Sequence, residues 1–377
     1  MSTSAAPVQV SPSPNVTMTA DNARKLKVAL FGVGRLGSIR ARILLASPRI
    51  DLVAVCDPKP GADAWVAGNM PARIRFFADP EDCLLHSGAE AVLISTATAT
   101  HAPLVLRALD LDLHVMVEKP IAVDIETTRT VVEAARKKPH LKLLVPFCRR
   151  FDESYRHVKR MVDAGELGEV HAVETSCLDQ QDPSGFFVAF SAQSGGIFVD
   201  MGIHDIDIAR FYLQPTIGCP NPRKQVNRVF AVGQTAVYGA LNEFQDADNG
   251  FAIVEFANGK ILTFHIGRTL TNGFESATRV FGTKGSAIVN GNSTIDRVEV
   301  RDVHGVRTAT TPDAFVLYDK SFLNDVAEFA ECVLDDKALS LDADDAYEAA
   351  KIAAALQYSF RKRVPVLFNE EGLPVME

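Results

Sequence analysis

Apolar residues recur along this chain in two different rhythms. Between residues 27 and 150 they come as short unbroken runs, at 28–31, 52–56, 91–95, 114–117 and 143–145, separated by stretches of helical period such as 125–136. Unbroken apolar strands alternating with helices belong in a parallel sheet covered on both faces, so this part reads as doubly wound α/β. Beyond residue 151 the rhythm changes. One helix is predicted over 155–163, ended by Gly165, and another begins near Gly202. The runs at 228–240, 251–256, 260–266, 279–281 and 287–289 then alternate apolar and polar positions, as strands with one covered face do. Asn258-Gly259 between two of them is a hairpin turn signal. Helices over 322–334 and 343–362 complete a C-terminal α/β domain with a large, mostly antiparallel open sheet, and no internal repeat is visible.

Composition narrows the partners. At 377 residues and 47% hydrophobic content the chain can bury the cores of two ordinary domains. A formal net charge of −8 and the lack of a Lys/Arg block argue against nucleic acid and anionic lipid and for a small metabolite. The six cysteines are scattered with no C-x-x-C pair, so neither a zinc site nor a disulfide framework is expected, and no metal ligands are assigned. No eighteen-residue apolar stretch or secretory leader pattern appears, so a cytoplasmic protein without membrane contact is expected. Residues 1–24, rich in Ser, Pro, Ala and Thr, cannot offset their ordering entropy and read as a disordered tail.

The first strand-like run ends in Gly32-Val33-Gly34-Arg35-Leu36-Gly37 and leads into a helix. In that context the first glycine permits a tight turn, the second lets the backbone approach a pyrophosphate, and the third allows close packing of helix on strand. The helix N-terminus then faces the anion. Asp57, twenty positions after Gly37 and at the end of the second strand, can accept hydrogen bonds from a ribose and would repel a 2′-phosphate, which favours NAD over NADP even with Lys59 close by. This is the pattern of a Rossmann dinucleotide-binding domain over residues 25–150. Thr96 and His101, just beyond the third run, and Glu118 and Lys119, at the end of the fourth, are counted with Gly32, Gly34, Arg35, Leu36, Gly37 and Asp57 as cofactor-binding residues. Residues 151–365 are left for substrate binding and oligomerisation, and 366–377 for a C-terminal tail.

Two strings carry candidate chemistry: Val117-Glu118-Lys119-Pro120 and the segment from Gly195 to Asp207. Strand C-terminal ends line the cofactor crevice of a doubly wound sheet, which puts Lys119 near the nicotinamide. Asp200 and His204 are four apart, so on a helix they would share one face. Oxidising an alcohol requires a base for the hydroxyl proton while the hydride leaves to a nicotinamide, and a histidine titrates in the right range. His204 is the candidate base, Asp200 would orient the imidazole or bind a neighbouring hydroxyl, and Lys119 would polarise the substrate oxygen. Helix capping by Asp200 beside a packed histidine, or a pair of metal ligands, are the other readings of the same spacing.

Together these strings, with Arg149-Arg150-Phe151-Asp152 and Gly282-Thr283-Lys284-Gly285, resemble the Gfo/Idh/MocA oxidoreductases from about residue 27 to about residue 365. The resemblance implies a Rossmann domain followed by an α/β domain whose open sheet makes homodimers or homotetramers. It also implies that Lys119, Asp200 and His204 form a catalytic trio, with Asp179 contacting substrate. Within the family the resemblance is to the inositol 2-dehydrogenases, although Cys177 stands where those enzymes can carry a histidine, and the segment 179–194 is longer. The expected activity is reversible, NAD-dependent oxidation of a ring hydroxyl on a cyclitol or sugar. A same-fold dihydrodiol or imine reductase, with Phe186, Phe187 and Phe190 lining an apolar pocket, is one alternative. A non-catalytic dinucleotide-binding regulator and a hydrolase cycling a tightly held NAD are two others.

Overall fold

The structure, a computed structural model, describes residues 24–376, so almost all of the segment expected as an N-terminal tail lies outside the described residues. The chain from residue 26 alternates strand and helix: β1 (Leu26–Phe31), α1 (Arg35–Ala46), β2 (Ile50–Cys56), α2 (Ala62–Asn69), β3 (Arg75–Phe77), α3 (Pro80–His86), β4 (Ala91–Ile94), α4 (Thr98–Asp110), β5 (His114–Val117), α5 (Ile125–Arg136) and β6 (Leu143–Leu144). The six strands form one sheet in the order β3-β2-β1-β4-β5-β6, parallel throughout. Every residue of β4 is buried, and five of the six in β1, as strands sandwiched between helices must be. β1 and β4 are neighbours although α1 and α4 leave their ends in opposite directions along the sheet. That reversal opens a crevice at the strand C-termini, where Gly32 and Ser95 meet.

A 3-10 turn (Cys148–Phe151) leads into α6 (Glu153–Asp163), β7 (Val170–Gln180), α7 (Phe186–Ser194), α8 (Ile197–Asp200) and α9 (Gly202–Leu213). Then follow β8 (Val226–Gln234), β9 (Asn249–Phe256), β10 (Ile261–Leu270), β11 (Glu275–Gly282), β12 (Ser286–Val289), the hairpin β13 (Thr294–Asp302) and β14 (Gly305–Thr310), α10 (Ala314–Leu317), α11 (Asp319–Leu334), α12 (Ala343–Lys362) and β15 (Val366–Leu367). The second sheet runs β12-β11-β7-β10-β9-β8-β15 and is antiparallel except where β7 lies parallel to β10. The Asn258-Gly259 turn joins β9 to β10 as its dipeptide predicts, with Gly259 at φ +83°. Helices α9 and α12 pack on one face. The other face leaves Phe230, Val232, Phe251, Ile253 and Ile288 exposed around a shallow cavity of about 580 Å³.

Three expectations change. β7 is a long strand that the sequence reading leaves out: its buried positions Val173, Thr175 and Cys177 alternate, but His171 and Ala172 break the period at its start. β8 stops at Gln234 rather than at residue 240, since Asp248 accepts the backbone N–H groups of Ala236, Val237 and Tyr238 and turns the chain there. The boundary at residue 366 does not end the ordered chain: Val366 and Leu367 pair with β8, and Phe368 is buried. Two strand residues are too few to show a period in the sequence.

Candidate active site

At the mouth of β1 the chain turns at Gly32, whose φ is +89° and whose Cβ would lie 2.5 Å from the Ser95 carbonyl oxygen. A Cβ on Gly37 would lie 2.1 Å from the Gly32 carbonyl oxygen. Gly34, by contrast, faces open space, and α1 starts there with no side chain capping its free N–H groups. An open glycine at an uncapped helix N-terminus is what a pyrophosphate needs. Asp57 stands at the end of β2 with Oδ2 accepting the Val33 N–H (2.9 Å) and Oδ1 the Lys59 N–H (2.8 Å), so its carboxylate is fixed beside the turn with lone pairs to spare for ribose hydroxyls. The residues therefore fit a dinucleotide.

Gly32, Gly34, Arg35, Leu36, Asp57, Thr96, His101, Glu118 and Lys119, all expected at the cofactor, line one cleft of about 1200 Å³ together with Asp179, Asp200 and His204. Gly37 sits behind it, in the packing of α1. Two side chains differ from their expected use. The buried His101 ring lies between the Pro120 carbonyl (2.9 Å) and the Thr96 carbonyl (3.1 Å), and so braces the segments after β4 and β5 at the cleft wall. Glu118 accepts from Arg40 Nε at 2.7 Å, and Arg40, itself wholly buried, also donates to Asp325 at 2.7 Å.

The catalytic candidates come from the end of β5 and from the successive helices α8 and α9. Lys119 Nζ, at the end of β5, donates to the Asp200 carbonyl (2.9 Å) and lies 3.3 Å from Asp200 Oδ1. Arg268 donates to Asp200 Oδ2 at 2.5 Å. Burial pushes the Asp200 carboxyl up, but the two cations outweigh it and hold it below the usual carboxylate range. The Asp179 carboxyl has no such grip: burial raises it to about 6 against the pull of Arg268, and Asp200 adds to the rise.

His204 is fixed from beneath. Arg149 pairs with Asp205 (2.7 Å) and Arg150 with Asp207 (2.6 Å), two buried ion pairs that pin α9 to the 3-10 turn, and Phe147 meets the imidazole edge-on at 6.0 Å. Burial, with the charges of Lys119 and Arg149, drives the imidazole well below its ordinary value, so it is neutral at working pH. Its Nδ1 is buried without a hydrogen-bond partner. Asp200 does not orient the imidazole as the spacing suggested. α8 ends at Asp200 and α9 begins at Gly202, so the two residues lie on successive helices and Asp200 turns to the cations. Capping is not its role either, since both helix N-caps lack a side-chain hydrogen bond. Among the described residues no three His, Cys, Asp or Glu side chains converge as metal ligands.

Arg268 escaped the sequence reading, yet its signal was present. Leu262, Phe264, Ile266 and Arg268 are successive buried positions of β10, so a period of two carries a guanidinium onto the covered face. The same count along β7, through Val173, Thr175 and Cys177, delivers Asp179 to the cleft edge.

Residues 26–146 match the model of an oxidoreductase family with an NAD-binding Rossmann fold, and residues 155–288 match the GFO/IDH/MocA C-terminal domain. A scyllo-inositol 2-dehydrogenase (NAD(+)) of Bacillus subtilis is 30% identical over 91% of this chain and 96% of its own length. The chain belongs to the Gfo/Idh/MocA oxidoreductase family. Among other members, an inositol 2-dehydrogenase of Rhizobium meliloti is 29% identical over 88% of the chain and 95% of its own. A scyllo-inositol dehydrogenase from Lactobacillus casei, solved with NAD(H) and scyllo-inositol, superposes with a TM-score of 0.85 at 28% identity, covering 91% of this chain and 99% of that one. The family's NAD-binding domain thus coincides with the crevice built by Gly32–Gly37 and Asp57.

Proposed function

We propose that this oxidoreductase reversibly oxidises a ring hydroxyl of a cyclitol or sugar with NAD, a reading supported by relatives named scyllo-inositol 2-dehydrogenase (NAD(+)) and myo-inositol 2-dehydrogenase. One observation carries the reading: Lys119 from the dinucleotide-binding sheet, Asp200 from α8 and Arg268 from the second sheet interlock over the same cleft that the glycine turn opens. A bound nicotinamide supplies the hydride acceptor as the substrate C–O bond gains carbonyl character. His204 takes the hydroxyl proton. With Nδ1 buried, Nε2 is the nitrogen left for a guest, and a neutral imidazole is the form that accepts. Lys119 Nζ polarises the same oxygen, held in place by an ionised Asp200. Asp179 and Arg268 offer an acceptor and a donor to neighbouring hydroxyls, so a substrate lacking them leaves buried polar groups unpaired.

The reading is tested by incubating the protein with NAD and a panel of inositols, aldoses and glycosides and following NADH absorbance. NADH from a polyol that is lost in His204→Ala and Lys119→Ala supports it. No NADH from any polyol, with NADH still bound, overturns it in favour of a regulator.

The family resemblance and the apolar, exposed face of the second sheet support a homodimer or homotetramer in which this face is covered. Phe251→Glu then shifts the protein to a smaller species in sedimentation. All six cysteines are unpaired, which suits a reducing cytoplasm, and no helix among the described residues is long and apolar enough to cross a membrane.

A further inference from the structure

Helix α7 is inside out. Its buried residues are Ser191 and Ser194, while Phe186, Phe187, Val188 and Phe190 are not buried, and Phe186 keeps 45% of its surface exposed. The serines are turned inward for polar reasons: Ser191 Oγ donates to Asp246 (2.7 Å), and Ser194 Oγ accepts the Gly196 N–H (3.1 Å). The phenylalanines are turned toward the cleft and form part of its wall. A surface helix normally does the reverse, and contiguous aromatic rings left partly uncovered along a cleft mark a binding surface.

The wall has a defined place. At one end the Arg35 guanidinium lies between the rings of Phe186 (5.4 Å) and Phe315 of α10 (5.2 Å), which ties the wall to the dinucleotide turn. Phe190 stacks parallel to Phe186 at 5.5 Å. At the other end Phe187 packs on the Arg268 guanidinium at 4.7 Å, and Arg268 grips Asp200. The aromatic surface therefore begins where the hydroxyl-binding groups end. A small polyol would fill the polar end and leave the phenyl rings wet.

We propose that Phe187 and Phe190 form a subsite for a flat apolar substituent of the substrate, so that the preferred guest is a polyol or pyranoside carrying an aromatic aglycone, its hydroxyls at Asp179, Asp200 and Arg268. The proposal rests on the polyol reading of the cleft. It takes the substituent, and not the dinucleotide, as the occupant because Phe187 packs on Arg268 of the second sheet, which grips Asp200, and not on the dinucleotide turn.

The test is calorimetric titration of the NADH-loaded protein with phenyl and with methyl β-D-glucopyranoside. A phenyl glycoside bound about tenfold more tightly or better is expected, given what burial and stacking of one ring contribute. The Phe187→Ala/Phe190→Ala double variant removes that advantage and leaves NADH affinity unchanged; because neither ring is buried, its melting temperature stays close to wild type. Equal affinities for the two glycosides overturn the subsite, as does a double variant that keeps the preference or that loses NADH instead. Tight phenyl glycoside binding with no NADH formed from any polyol would overturn the polyol-oxidation reading and leave the subsite standing.

Discussion

Arg40 and Glu118 are 78 positions apart and joined by a 2.7 Å hydrogen bond in a buried site next to Lys119. Through its other nitrogen Arg40 reaches Asp325 on α11, so a single guanidinium ties α1, the end of β5 and α11 together. Replacing it by an apolar residue strands two buried carboxylates. Arg40→Met is expected to destabilise the protein by about 3–5 kcal/mol, as breaking one side of a buried ion pair does. Urea unfolding measures this, and a loss below about 1 kcal/mol would mean the carboxylates find water instead. Arg40→Met/Asp325→Leu should recover part of the loss, because it removes one of the stranded charges.

Asp179 is unpaired, and its carboxyl is raised to about 6 by burial. Between its unfolded value and 6 the folded state binds the proton that the unfolded state has released, so stability falls as pH rises through that window. The contribution is complete below about pH 4 and gone above pH 6. Asp179→Asn has no such proton to lose and should raise stability at pH 7–8 by about 1–2 kcal/mol while changing it little at pH 4. The melting temperature against pH checks the sign. A gain that is the same at both ends would remove titration as its cause. The cost is in substrate binding, seen as a raised KM.

His204 is already neutral far below the ordinary histidine range. Activity should therefore show no acid limb at pH 6.5, and the limb near pH 6 that Asp179 contributes should vanish in Asp179→Asn. His204→Ala is expected to lower kcat by roughly 10²–10⁴-fold, the usual share of a positioned base, with NADH affinity unchanged. An acid limb at pH 6.5 that disappears with His204 would mean the imidazole is wetter than its surroundings indicate.

How far the fold and site were legible follows from how local their signals are. The glycine turn, Asp57 and Lys119 are readable because a tight turn, a strand end and a fixed spacing each leave a mark within about thirty residues. Arg40 and Asp325 lie 285 residues apart, and neither carries any local sign of the other. The hairpin of β13 and β14 exposes Val298, Val300 and Val306, so no face of it alternates between core and solvent in a readable way. In α7 the phenylalanines at 186, 187 and 190 line the cleft, but nothing local distinguishes a cleft wall from a packed core. Asp200 and His204 have helical spacing, but the junction at Met201 between α8 and α9 is a tertiary outcome that no spacing rule contains.

Gly34 and Gly37 separate binding from folding within one turn. A methyl group on Gly37 would sit 2.1 Å from the Gly32 carbonyl oxygen, which is backbone and cannot move aside without unseating α1 from β1. A methyl group on Gly34 meets nothing within 4 Å, so the free protein tolerates it. If the pyrophosphate approaches the α1 N-terminus as the uncapped N–H groups suggest, that methyl group occupies the space the anion needs. Gly37→Ala should therefore lower the melting temperature of the free protein, whereas Gly34→Ala should leave it within error of wild type and weaken NADH binding by about tenfold or more, a loss on the order of 1.4 kcal/mol. Fluorescence titration and thermal melts of the two variants decide between these outcomes. A Gly34→Ala variant that binds NADH as tightly as wild type would place the pyrophosphate elsewhere in the cleft, and with it the hydride acceptor that His204 and Lys119 are taken to serve.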